Sequence, residues 1–321
     1  MELVHLSRAE VERAGVGMRD VLAALEAMFV EKGAGRVEMP PKPGVHPQPD
    51  AFIHAMPAHV PALGATGVKW VSGFPGNVAR GLPYISGLLI LNDPATGIPT
   101  CVMDATWITA VRTGAATAIA ARRLARAESR TLGVVACGVQ GRSNLAALAC
   151  VFALERVRAF DVRREAAEAF AREVGERHGL TVEVVDTPRA AVEGLDLVVT
   201  SGPILKHPRP VIEPDWLAPG TFLCALDFDS YVTGAAFRAV DRLTTDDLGQ
   251  MEHYRALGYF ADTPRADCDL GQLVCGTAPG RAREDERIVA VQLGLALEDM
   301  PVAVLVRDRA RALGLGTRLE L

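Results

Sequence analysis

The 321-residue chain has no Cys-x-x-Cys pair, no His-x-His or His-x-x-x-His spacing, no cluster of basic residues and no long uncharged apolar run. Its six cysteines (Cys101, Cys137, Cys150, Cys224, Cys268 and Cys275) are scattered singly, several inside apolar strand-like runs. That argues against a disulfide framework and reads as free, buried thiols in a reducing cytoplasm. Seven histidines without ligand spacing give no metal site. A net charge of −5 without a basic patch excludes nucleic acid as a partner. Without an uncharged apolar stretch of roughly 18 residues, no membrane span is expected. The opening MELVHLSRAEVERAG carries charges throughout and lacks the apolar centre of a signal peptide. Hydrophobic residues make up 49%, which excludes a disordered chain. The length is ample for a packed core and predicts two domains or one large one.

Ser7 precedes an apolar-periodic run over Val11–Val30, with Glu10 three residues on, the signature of a capping box. Met39–Asp50 holds five prolines and reads as an irregular loop. Strand-like runs follow at Ala51–Ala55, Gly67–Ser72 and Tyr84–Asn92. The last ends in the turn Asp93-Pro94-Ala95-Thr96-Gly97, from which Ile98–Met103 pairs back. This part reads as α+β with a mostly antiparallel sheet. From Asp104 to Arg126 the sequence is helical and alanine-rich. Strands at Leu132–Ala136, Val157–Asp161, Thr181–Val185, Leu195–Thr200 and Thr221–Leu226 then alternate with helices at Ser143–Leu154 and Arg164–Gly175, a pattern that predicts a parallel sheet. Glu284–Leu313 reads as helical, interrupted near Pro301.

The first of these βαβ units carries a phosphate-turn signal. Ala136-Cys137-Gly138-Val139-Gln140-Gly141 fits Gly-x-Gly-x-x-Gly with Ala136 at the first glycine. Small residues let the backbone turn tightly and approach a pyrophosphate, and the following helix N-terminus faces its charge. Asp161 closes the second strand 23 residues after Gly138, where an acid accepts the ribose hydroxyls of adenosine and favours NAD. Arg163 and Arg164 follow and leave NADP possible.

Several blocks together resemble the ornithine cyclodeaminase/μ-crystallin family. They are Lys69-Trp70-Val71-Ser72-Gly73-Phe74-Pro75-Gly76-Asn77, Gly97-Ile98-Pro99, Thr109-Ala110-Val111-Arg112-Thr113-Gly114-Ala115, the turn at Gly138, and Gly294-Leu295-Ala296-Leu297-Glu298-Asp299. The resemblance spans nearly the whole chain. It implies an α/β fold: a Rossmann-type dinucleotide-binding domain over residues 114–303, plus an α+β substrate-binding and dimerisation domain from 1–113 with 304–321. Homodimers are common in the family.

The resemblance also assigns residues. Lys69 and Arg112 would hold the substrate carboxylate, Arg112 through a bidentate guanidinium, and Lys42 lies near a third cation position. Thr113 would contact the cofactor phosphates, and Gln140 would sit at their turn. Thr200 and Ser201, after a further strand, would line the nicotinamide ribose. Asp227 would serve as acid/base, although the family's Pro-Gly-Lys after it is missing here and Asp229 competes for the role. His54 stands two residues before Met56, where cyclodeaminases carry a glutamate for the ornithine ammonium. That change argues against ornithine cyclodeamination and leaves His54 to donate a proton or contact a polar substrate side chain. The expected activity is hydride transfer between NAD(H) and the α-carbon of a small amino or imino acid, as a dehydrogenase or ketimine reductase. The alternatives are cyclodeamination and a non-catalytic, crystallin-like role in ligand binding.

Overall fold

A computed structural model describes residues 2–321. The chain divides into two compact units, 1–112 with 295–321 and 113–294. The second boundary lies nine residues before the expected 303/304. The reason is that the whole helix after Leu295 packs in the first unit rather than ending the second.

The first unit is built on a seven-stranded sheet of order β15-β1-β6-β5-β4-β3-β2. Its strands are β1 (Glu2–Leu6), β2 (Gly44–Val45), β3 (Phe52–Val60), β4 (Ala65–Gly73), β5 (Ile85–Asn92), β6 (Pro99–Asp104) and β15 (Thr317–Glu320). All neighbours are antiparallel except β1 and β6. One face of β3 alternates strictly, with His54, Met56, Ala58 and Val60 buried, the signature of a sheet covered on one side. α9 (Ala296–Ala312) covers it, lying across β3, β4 and β5, and α2 (Met18–Gly33) packs on α9.

The expected single helix over Val11–Val30 is two helices, α1 (Arg8–Arg13) and α2, because Gly15 takes φ 69° and breaks the ladder. The Glu10 carboxylate accepts hydrogen bonds from both the N–H and the hydroxyl of Ser7, as the capping signal implied. The run over 284–313 is also not one helix. Ile288–Val291 is a strand, β14, buried on both faces, and a short apolar run of that kind carries no period to separate strand from helix. Pro301 sits within α9 without interrupting it. It lies in the second turn, where its missing N–H costs one hydrogen bond in a helix whose apolar face is buried.

The second unit holds an eight-stranded sheet of order β13-β12-β14-β11-β10-β7-β8-β9, parallel at every pairing. Its strands are β7 (Thr131–Val135), β8 (Arg156–Phe160), β9 (Val182–Val184), β10 (Leu197–Thr200), β11 (Phe222–Ala225), β12 (Arg242–Thr245), β13 (Cys268–Asp269) and β14. Strand order reverses between β7 and β10, which makes that edge the topological switch point of a Rossmann-type sheet. α3 (Thr106–Leu124) leads into this unit, and α4 (Val139–Leu148) and α5 (Arg164–His178) follow β7 and β8. α4 begins four residues earlier than Ser143 and ends at Leu148, because Gly138 itself is the N-cap.

Candidate functional site

In the first unit the site grows out of one row of side chains on the covered face of the sheet. The registers Met56↔Lys69, Lys69↔Leu89, Leu89↔Met103 and Met103↔Leu6 align five residues across five strands. All five are buried, and four are apolar. Lys69 is therefore a cation set into a hydrophobic row, not a surface lysine.

Its charge is met from above. The Lys69 Nζ lies 2.6 Å from Asp299 Oδ2 and donates to the Thr109 hydroxyl at 3.3 Å. Arg112, also buried, donates from Nε to Asp299 Oδ1 at 3.1 Å and from Nη1 to Glu298 Oε2 at 2.6 Å. Glu298 and Asp299 are both fully buried in the first turn of α9, where the helix N-terminus favours negative charge. Sequence reasoning quoted these two acids only as part of a family block. The signal that marks them is a pair of adjacent carboxylates inside the apolar stretch 295–303.

Burial pushes the Lys69 ammonium down to about 7, and the Arg112 charge pushes the same way, while the charge and hydrogen bond of Asp299 hold it up. Lys42 also acts on Lys69 as a like charge. His54 and Met56 lie on the covered face with Lys69. The His54 ring stacks on Phe52 at 4.4 Å and meets His46 edge-on at 6.0 Å. A side chain on Gly44 would fill the space that the His54 ring takes, since a Cβ there would lie 2.2 Å from it.

In the second unit the turn after β7 is tight. Ala136 takes φ 72°, a left-handed conformation that suits glycine, and its N–H and C=O are held by the Phe160 carbonyl and the Ser201 hydroxyl. The two remaining glycines differ in kind. A Cβ on Gly141 would lie 2.9 Å from the Ala136 carbonyl, so packing requires glycine there. A Cβ on Gly138 would meet nothing within 4 Å, so its smallness leaves open space at the N-terminus of α4. That is the room a pyrophosphate needs, and these residues fit a dinucleotide.

Asp161 accepts the N–H of Cys137 at 2.8 Å and of Arg163 at 2.9 Å, which ties the end of β8 to the turn. The Arg163 side chain is exposed, and Arg164 pairs with Glu168 and Asp186. Val139 is exposed at the first position of α4, and Gln140 follows, its side-chain and backbone oxygens accepting the Ser143 hydroxyl. Thr113 precedes Gly114, whose backbone packs directly on Ser143 of α4, so Thr113 stands beside this turn. Arg142 was not anticipated. It donates to the Cys137 and Gly138 carbonyls and pairs with Glu173 at 2.5 Å, fixing the turn from its far side.

At the end of β11, Asp227 is fully buried. Its carboxylate accepts the Thr200 hydroxyl at 2.8 Å and the Gly202 N–H at 2.9 Å. Burial pushes this acid up to about 7 against those two bonds, and the neighbouring Asp229 adds to the rise. The next residue, Phe228, holds φ 60°, strained for an aromatic, within a cluster formed with Tyr254, Tyr259 and Phe260. Asp229 accepts the Phe260 N–H at 3.0 Å and so braces that cluster. The Thr200 hydroxyl donates to Asp227 and that of Ser201 to the Ala136 carbonyl, and each keeps lone pairs that can accept from a ligand.

Residues 1–314 match the model of the ornithine cyclodeaminase/mu-crystallin family. The alanine dehydrogenase of Archaeoglobus fulgidus is 33% identical over 332 aligned positions, covering 100% of this chain and 99% of that protein. The structure of Thermococcus litoralis Delta(1)-pyrroline-2-carboxylate reductase in complex with NADH and L-proline is similar with a TM-score of 0.89 and 29% identity, over 98% of this chain and 99% of that one. An archaeal alanine dehydrogenase dimer with bound NAD gives 0.88 at 32% identity, with both chains covered in full.

Proposed function

The chain belongs to the ornithine cyclodeaminase/mu-crystallin family, and on that premise we propose that it is an NAD-dependent oxidoreductase acting at the α-carbon of a small amino or imino acid, as an amino-acid dehydrogenase or ketimine reductase. The observation that carries this reading is Asp227, a buried acid at the carboxyl end of a Rossmann strand, held near 7. A group poised there releases and takes up a proton at neutral pH, which proton transfer to and from a substrate nitrogen requires.

The residues divide the work. Gly138, Val139, Gln140 and Gly141 at the α4 N-terminus, with Thr113, would hold the cofactor phosphates, and Asp161 the adenosine ribose. The bound dinucleotide supplies the hydride donor or acceptor. Lys69 and Arg112 hold the substrate carboxylate, with Lys42 adding charge, and so fix the orientation of the α-carbon. Asp227 protonates the imine nitrogen in reduction and accepts its proton in oxidation. The Asp161 carboxylate disfavours a 2′-phosphate and supports NAD, with exposed Arg163 the route by which NADP would be accommodated. His54, in place of an acid, offers a distal ammonium no charge partner, which weighs against ornithine cyclodeamination. It contacts the substrate side chain in this reading, beside Met56.

The decisive assay is absorbance at 340 nm. NADH is mixed with cyclic imines or with keto acids and ammonium, and NAD with a panel of L-amino acids including ornithine. Turnover lost in both Lys69→Ala and Asp227→Asn is the expected result. Proline formed from ornithine with no net absorbance change would replace this reading with cyclodeamination. Silence in every assay, with dinucleotide bound, would favour a binding protein.

The finer reading of its assembly is a homodimer through the open face of the first sheet. Ile53, Val68, Trp70, Leu88, Ile90 and Val102 share that face, with Trp70 52% and Leu88 47% exposed. A sheet face this apolar matches a second copy of itself. Trp70→Lys with Leu88→Lys should then sediment as a monomer. No disulfide joins the six cysteines, which supports a cytoplasmic setting, and among the described residues no helix is long and apolar enough to cross a membrane.

A further inference from the structure

Lys69 and Arg112 are not two independent cations. Asp299 touches both, one carboxylate oxygen on each, and Glu298 takes a second side of Arg112. All four groups lie within the first unit and are buried. The arrangement admits two opposite roles for the acids. They compete with an incoming carboxylate for the cations, or they build the seat it uses.

We propose that Asp299 is a positioning residue for the substrate carboxylate: it bridges Lys69 and Arg112 at fixed spacing and keeps Lys69 charged in a hydrophobic row. This rests on the reading of Lys69 and Arg112 as the carboxylate site. Geometry favours seat over competitor. Lys69 has three N–H donors and spends two of them, on Asp299 and Thr109, which leaves one for a ligand. Its other neighbours oppose its charge or ignore it. Met56 and Leu89 flank it on β3 and β5, His54 lies on the same face, Arg112 and Lys42 repel it, and Asp299 is the acid that touches it. Without Asp299 a lysine in this setting gives up its proton, because burial and two like charges act together.

The test is binding of pyruvate to the NADH-saturated protein without ammonium, by calorimetry at pH 5.5 and pH 8, with L-proline as a second probe. In Asp299→Asn, pyruvate should bind more than tenfold more weakly than in wild type at pH 8. At pH 5.5 the loss should shrink below threefold, since protonation of Lys69 no longer needs the acid. Glu298→Gln, at an acid paired with Arg112, should show a smaller loss without that pH dependence. Unchanged NADH affinity in both variants verifies that the fold survives. Tighter pyruvate binding in Asp299→Asn would make the acid a competitor and overturn the proposal, as would an equal loss at both pH values. If wild type binds neither pyruvate nor L-proline while binding NADH, the carboxylate site itself is misassigned, and the proposal falls with it.

Discussion

The two units bury charge in opposite ways. In the first, Lys69 and Arg112 are matched against Glu298 and Asp299, and every member has an oppositely charged neighbour within 3.1 Å. In the second, Asp227 is just as buried but is met by a hydroxyl and a backbone N–H rather than a cation. Pairing keeps charges in place at the cost of making each depend on the others. Hydrogen bonds alone leave the acid free to shed its charge, and its proton affinity rises instead. The first arrangement suits a seat that holds cations at fixed spacing to grip an anion. The second suits a group that must change its protonation state in every cycle.

The sharpest way to break the paired arrangement is to remove its shared cation. Arg112→Met removes the cation that pairs with both Glu298 and Asp299. Loss of one partner from a buried ion network costs about 3–5 kcal/mol, and a urea titration should show a loss of that size. A loss below about 1 kcal/mol would mean that water reaches the cluster and that the pairing argument is wrong.

The contrast also predicts two pH windows. Asp227 is raised from 3.8 to about 7, so the folded protein binds its proton more tightly than the unfolded chain does. Its contribution is fully present below about pH 4 and is lost as pH rises to 7. Lys69 is lowered from 10.5 to about 7, so above pH 7 the unfolded chain holds more protons and stability climbs with pH. Asp227→Asn should therefore flatten the stability profile below pH 7, and Lys69→Met should flatten it above. One pKa unit corresponds to about 1.4 kcal/mol, so between pH 5 and 7 wild type should lose about 2 kcal/mol relative to Asp227→Asn. Urea midpoints across that range measure the difference, and parallel profiles would remove the case for Asp227 as a buried, poised acid.

These residues were unequally legible in the sequence. Lys69, Arg112, Asp161 and the turn at Gly138 lie in local patterns: a strand with a Gly-x-Pro turn behind it, a helix low in charge, a strand running into glycines. Their partners do not. Glu298 comes 186 residues after Arg112, and nothing in the spacing ties them. They meet because α9 crosses the sheet that Lys69 belongs to, which is a fact of topology. The same holds for Thr200: its place at a strand end is legible, but its hydrogen bond to Asp227, just past the neighbouring strand, is not. Alternation placed β3, β4 and β5 because their faces differ in burial. It missed β14 because both of its faces are buried.

The smallest effect concerns backbone rather than charge, and it tests whether strain in the second unit is confined to the acid's surroundings. Ala136 occupies the first glycine position of the phosphate turn at φ 72°. The left-handed conformation costs a residue with a Cβ about 1–2 kcal/mol. Glycine removes that cost but gives the unfolded chain more freedom, a loss of about 0.4–1 kcal/mol. Ala136→Gly should therefore stabilise the protein by about 0.5–1 kcal/mol, visible as a small rise in Tm. The Ala136 N–H and C=O keep their bonds to Phe160 and Ser201 in either case, so the turn holds its shape and NADH affinity should not fall. A drop in Tm would show that the methyl packs well enough to outweigh its strain. The turn would then be set by side-chain contact rather than by backbone preference.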